Sequence, residues 1–125
     1  LTAATFAVAG PGPATARLWA ALSGLALVFV TAGLARRWYD DDTALVAGAI
    51  VATSFGYVAL ARMALPDLPL ALFVTATIGA TLVAVGDRVA HPRRWLFAAA
   101  VAAALGFLTK GPLAVVLPAV VIGPI

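Results

Sequence analysis

The sequence predicts an all-α fold, a polytopic transmembrane helix bundle, and three observations carry that prediction. Of 125 residues, 64% are hydrophobic and only 10% are charged, too little charge to cover a soluble domain of this length. The thirteen charged residues fall into five clusters, at Arg17, 36–42, 62–67, 87–94 and Lys110. Between them, 18–35, 43–61, 68–86 and 95–109 hold no charged side chain. The first three stretches have 18 or 19 residues, so as helices they reach ~27–29 Å, close to the ~30 Å hydrocarbon core. Backbone polar groups at that depth must be satisfied within their own segment, which requires helix. Strands are excluded because the polar residues show no period of two.

Residues 1–16 read as an outer loop or interfacial segment. They resemble a signal peptide only faintly: no basic region precedes them, and Gly10-Pro11-Gly12-Pro13 interrupts the apolar run. Spans are then expected near 18–35, 44–61, 68–86 and 95–109, with a truncated one from 112, all in one partial membrane domain over 1–125. Leu1 and the short final run make the chain read as an excerpt of a longer protein. Gly24, Gly33, Gly48, Gly56, Gly79, Gly86 and Gly106, set among many alanines, read as points of close helix packing.

Successive spans alternate direction, so the clusters sort onto two sides. Arg36, Arg37, Arg88, Arg93 and Arg94 fall on one side, and Arg17, Arg62 and Lys110 on the other. The richer side is cytoplasmic by the positive-inside rule, and Trp38, Tyr39 and Trp95 stand beside its arginines as an aromatic belt would. The Arg62–Asp67 connection and Lys110 are therefore expected outside the cell membrane. The net charge of +3 reads as helix flanks rather than as a surface for nucleic acid, and membrane lipids are the expected surroundings.

Two places can hold chemistry. In 61–69 a cation, Arg62, and a carboxylate, Asp67, share a short apolar connection, and Pro66 and Pro69 favour a helix start that puts Asp67 near its positive end. A capping carboxylate with a snorkelling arginine is the plainer reading. In Leu108-Thr109-Lys110-Gly111-Pro112 the preceding run of 15 residues reaches only ~22 Å, which places Lys110 at or just below the interface. Gly111 permits a sharp turn and Pro112 a new helix, so a lysine meets free backbone N–H groups, an anion site in outline. A snorkelling lysine at a helix corner accounts for the same residues. Asp40-Asp41-Asp42-Thr43 reads as solvated loop and helix N-cap. His91 is the one histidine and there is no cysteine, so neither a metal centre nor a disulfide is specified.

Taken together, Ala16-Arg17-Leu18, then Arg62 and Asp67, then Leu105-Gly106-Phe107-Leu108-Thr109-Lys110-Gly111-Pro112 resemble the ArnT-like and protein O-mannosyltransferase-like glycosyltransferases of the polytopic GT-C class. The resemblance runs from about Pro13 onward, and the Leu-Thr-Lys-Gly-Pro element is its most specific part. It implies an inverting transfer of sugar from a polyprenyl-phosphate carrier to an extracytoplasmic lipid, protein or glycan acceptor. It further implies that Lys110 and Arg62 bind the donor phosphate and that Asp67 is an accessory acidic residue. Arg17 would correspond to the arginine that opens the family's second span. The family's principal catalytic aspartate lies in the first outer loop and has no counterpart before Arg17, so it is expected upstream of this chain, which alone should be inactive. Asp67 has three open roles: orienting the acceptor, holding a divalent metal, or positioning a cation. A secondary transporter or flippase segment is the alternative, in which the same charges line a substrate path. A purely structural membrane module is a third reading.

Overall fold

The computed structural model describes residues 10, 13–54, 59, 67–86 and 89–124, the side chains of 13–16 excepted. The described chain holds five helices: α1 (Pro13–Trp38), α2 (Asp41–Thr53), α3 (Asp67–Val85), α4 (Pro92–Lys110) and α5 (Leu113–Ile122). Arg17–Trp38 and Asp67–Val85 are each long and apolar enough to cross a membrane. The all-α expectation holds.

Helix lengths depart from the charge-free stretches for one physical reason. Absence of charge measures what can sit at bilayer depth, whereas a helix continues into the interface wherever its backbone bonds persist. So α1 takes in 13–16, which the sequence assigned to an outer loop or interfacial segment, and also Arg17, Arg36 and Arg37. Likewise α4 extends past 95–109 to include Arg93, Arg94 and Lys110. By contrast α2 closes at Thr53, where Ser54 turns to φ −60°, ψ 124° and donates its N–H to the Val51 carbonyl. The later part of the expected 44–61 span lies outside the described residues, apart from residue 59.

The chain divides into two compact units, 1–69 and 70–125. In the first, α1 and α2 pack as a hairpin across a two-residue turn, Tyr39 and Asp40. On α1, Ala20, Ser23, Gly24 and Leu27 are buried, spaced as one helical face. On α2 the buried residues are Ala44 and Gly48. The large apolar side chains of α1 (Leu18, Leu22, Leu25 and Phe29) instead point outward. Mostly small residues inside, with Leu27 the bulky exception, and bulky ones outside invert the soluble pattern and suit helices whose solvent is lipid.

A Cβ at Gly48 would stand 3.4 Å from the Cβ of Ala32 and 3.7 Å from Val28 Cγ1, which is ordinary contact. Gly48→Ala should therefore fit and gain up to ~1 kcal/mol of helix propensity. Thermal melting of the purified full-length protein should show an unchanged or raised Tm, whereas Gly48→Leu should lower it.

The second unit holds most of α3 with α4 and α5. Leu70, Thr77, Ala80 and Val83 of α3 are buried. The Thr77 and Thr81 hydroxyls donate to carbonyls of their own helix, Phe73 at 2.7 Å and Thr77 at 2.8 Å, so they need no partner from outside. On α4 the buried face is Ala99, Ala102 and Gly106; on α5 it is Ala114 and Pro118. These faces meet at Gly106. A Cβ built there would stand 2.9 Å from the Cβ of Ala114 and 3.1 Å from that of Phe73.

The glycine expectation is thus right at Gly48 and Gly106 and wrong at two other positions. Among the described residues nothing stands within 4 Å of a Cβ at Gly33, and one at Gly86 meets carbonyls of the helix it ends. Gly24 and Gly79 are buried, and Gly56 lies outside the described residues.

Candidate functional site

The residues singled out as chemical fall on helix ends. Asp67 is the first residue of α3 and is half-buried. The carboxylate therefore sits at the positive end of that helix dipole, as the prolines around it led us to expect. Arg62 lies outside the described residues. Arg17 is exposed in the second turn of α1, which starts at Pro13, and is the first residue of the candidate membrane span Arg17–Trp38.

Lys110 is the last residue of α4 and is exposed. A cation there complements the negative C-terminal end of its own helix. The chain then turns at Gly111, whose φ of 76° lies in the left-handed region that only glycine adopts without strain. Its N–H donates to the Phe107 carbonyl at 2.7 Å, and the Thr109 hydroxyl donates to the Gly106 carbonyl at 2.6 Å. Both bonds close the end of α4.

The N–H groups beyond the corner are less available than the sequence led us to expect. Pro112 is the N-cap of α5, not its first residue. Ala114 N–H donates to the Gly111 carbonyl at 3.3 Å, and those of Val115 and Val116 both donate to Pro112 at 3.0 Å. A tight first turn satisfies these donors internally, so any anion held here relies on the lysine rather than on a ring of backbone amides.

The α1–α2 turn holds an arrangement that the sequence reading missed. Arg36 grips Asp41 as a fork, with Nε to Oδ1 at 2.6 Å and the guanidinium to Oδ2 at 3.4 Å. Both side chains are about 70% exposed, so the pair orders the turn more than it stabilises the fold. The signal was present in the sequence: residues 36 and 41 flank a turn short enough to bring their side chains together. Asp40 is the N-cap of α2, its carboxylate accepting from Thr43 N–H at 2.8 Å, as the sequence predicts.

Hydrogen bonding by Thr43, through its side chain first and its backbone N–H second, holds the Asp40 carboxyl below its ordinary pKa. A folded-state pKa depressed below the unfolded one gives stability that is present above the ordinary carboxylate range and lost as pH falls through the lowered value. Asp40→Asn keeps a capping oxygen without the titration. Melting curves of the full-length parent should therefore show a loss of stability on acidification that Asp40→Asn removes in part. Identical acid profiles for the two would contradict the assignment.

Among the described residues no group of three or more His, Cys, Asp or Glu is placed to hold a metal ion. Asp67 and Lys110 are the ionisable residues at the two helix ends that the sequence reading assigns to the outer side.

Comparison with known proteins adds the family. A family model for dolichyl-phosphate-mannose-protein mannosyltransferases matches residues 7–125. An uncharacterized protein of Aquifex aeolicus (strain VF5) is 35% identical over 108 residues, covering 85% of this chain and 21% of that protein. The chain therefore spans about a fifth of the length of the relative it matches. No solved structure matches it.

Proposed function

Because the chain belongs to the dolichyl-phosphate-mannose-protein mannosyltransferase family, a family of glycosyltransferases, we propose that these residues serve a membrane enzyme that moves a sugar from a polyprenyl-phosphate carrier to an acceptor hydroxyl outside the cytoplasm. Mannose is the sugar and protein the acceptor that the family name favours, with lipid and glycan acceptors as the other candidates. The observation that carries this reading is the span of the match, which takes in Arg62, Asp67 and Lys110 together.

In the proposed bundle 18–35, 44–61, 68–86 and 95–109 all cross the bilayer, and Asp67 and Lys110 share its outer rim. Helix register supports this. Asp67 is the first residue of a 19-residue helix and Lys110 the last of another, and only 86–91 joins them. So short a joint favours antiparallel neighbours. The contact of Gly106 with Phe73 fits such a pair, lying ~18 Å from the joint along α3 and ~21 Å along α4. Asp67 and Lys110 each lie ~27 Å from the joint on the same count.

The chemistry asked of this rim is modest. The acceptor oxygen bonds to the sugar C1 as the C1–O bond to phosphate breaks, and the carrier phosphate leaves with the electron pair. A carboxylate takes the hydroxyl proton, and cations must meet the charge that grows on the departing phosphate. Lys110, with Arg62, supplies those cations, and Asp67 orients the acceptor or a neighbouring cation. The carboxylate that acts as base is not assigned to this chain. Attack opposite the leaving phosphate inverts the anomeric centre.

The test is transfer by the full-length protein in proteoliposomes offered polyprenyl-phosphate mannose and a panel of other polyprenyl-phosphate sugars. Sugar on the acceptor with release of polyprenyl phosphate is the expected result. Movement of lipid-linked sugar across the bilayer with no transfer would favour the transporter or flippase reading.

A further inference from the structure

Two arginine pairs stand at helix ends, and the structure treats them differently. Arg36 is gripped by Asp41, and Asp40 and Asp42 add further negative charge at the same turn. The second pair, Arg93 and Arg94, lies in the first turn of α4, where no acidic residue is present. His91 precedes it as N-cap and makes no side-chain capping hydrogen bond. In sequence, Asp87 and Arg88, the charged residues that precede His91, are of opposite sign. Two cations at the positive end of a helix oppose its dipole, so this turn concentrates positive charge that nothing in the turn offsets.

The start of α4 is exposed all round and changes from basic to apolar along its axis, with Arg93, Leu96 and Phe97 on one side at i, i+3 and i+4. Residues 91–98 are all exposed: first His91, Arg93 and Arg94, then Trp95, Leu96 and Phe97. Phe97 is 72% exposed and Leu96 49%. Basic groups above an aromatic and bulky apolar residues below repeat the layout of an anionic phospholipid, phosphate over acyl chain. We propose that this face of α4 binds an anionic phospholipid of the surrounding bilayer, its phosphate held by Arg93 and Arg94 and an acyl chain lying along Leu96 and Phe97. The inference rests on α4 crossing the bilayer and is independent of the transfer chemistry.

Native mass spectrometry of the purified full-length protein, titrated with phosphatidylglycerol or phosphatidylcholine, tests it. The unmutated protein should prefer phosphatidylglycerol, and that preference should fade as salt rises from about 50 to about 500 mM. At roughly fivefold per basic residue, Arg93→Gln/Arg94→Gln should weaken phosphatidylglycerol binding ~20- to 30-fold and leave phosphatidylcholine unchanged. Arg93→Lys/Arg94→Lys should restore most of it. Arg36→Gln/Arg37→Gln should change it less than about threefold, because that turn already has its own acidic partners. Equal binding of the two lipids by the unmutated protein overturns the proposal without any variant. So does an Arg36→Gln/Arg37→Gln loss as large as that of Arg93→Gln/Arg94→Gln.

Discussion

Lys110→Ala in the full-length protein should lower kcat/KM for the lipid-phosphate sugar donor by ~10- to 100-fold, the range expected on losing one charge-assisted contact to phosphate. The residue is exposed at the end of α4, so folding stability should change by no more than ~0.5 kcal/mol. Lys110→Arg keeps the charge and should recover part of the loss. The internally bonded first turn of α5 strengthens the expectation: with those amides engaged, the ammonium has little backbone help to fall back on. Donor titration by activity, set beside thermal melting of the same preparations, separates binding from folding. Unchanged donor use with a normal Tm would leave Lys110 as an anchor of the helix end.

Gly106→Ala should do the reverse, lowering stability first. The added Cβ would fall 2.9 Å from Ala114 Cβ and 3.1 Å from Phe73 Cβ, atoms fixed directly to backbone and unable to swing aside. Overpacking of this kind costs ~1–3 kcal/mol, more than the ~1 kcal/mol of helix propensity that alanine restores. Gly106→Leu should be worse again. Because Gly106 lies one turn before Lys110, separating α4 from α5 also displaces the proposed phosphate-binding end, and activity should fall with stability. Ala114→Gly removes the nearest obstructing atom, so the double variant should be more stable than the two single losses add up to. A raised Tm for Gly106→Ala, like the one expected for Gly48→Ala, would show that the faces meet less closely than described.

Much of the fold was legible because lipid imposes a simple rule on where charge may stand. Asp67–Val85 differs by one residue at each end from the charge-free stretch 68–86, and Asp40 caps its helix as its sequence context indicates. Helix ends in the interface were not legible, since charged residues there neither stop a helix nor require one: Arg17, Arg93 and Arg94 all lie inside helices. Which glycines pack was not legible either. Gly33 and Gly106 look alike in sequence, yet among the described residues a Cβ at the first meets nothing and one at the second a Phe73–Ala114 wall, because the difference belongs to neighbouring helices. For the candidate site, composition and spacing located Asp67 and Lys110 at helix ends. The inward turn of the Ala114, Val115 and Val116 amides depends on the φ of Gly111 and the cap at Pro112, which no spacing encodes.

The proposed function requires residues 67 and 110 to open toward the same outer compartment. The chain contains no cysteine of its own. Asp67→Cys, Lys110→Cys and Arg94→Cys, each introduced singly into full-length protein in which any cysteine outside these 125 residues has been replaced by serine, can be labelled in intact cells with a membrane-impermeant maleimide. Labelling of the first two without permeabilisation, and of the third only after it, is the predicted pattern. If the cysteines at 67 and 110 react from opposite faces, no shared rim exists and the donor site described above is wrong.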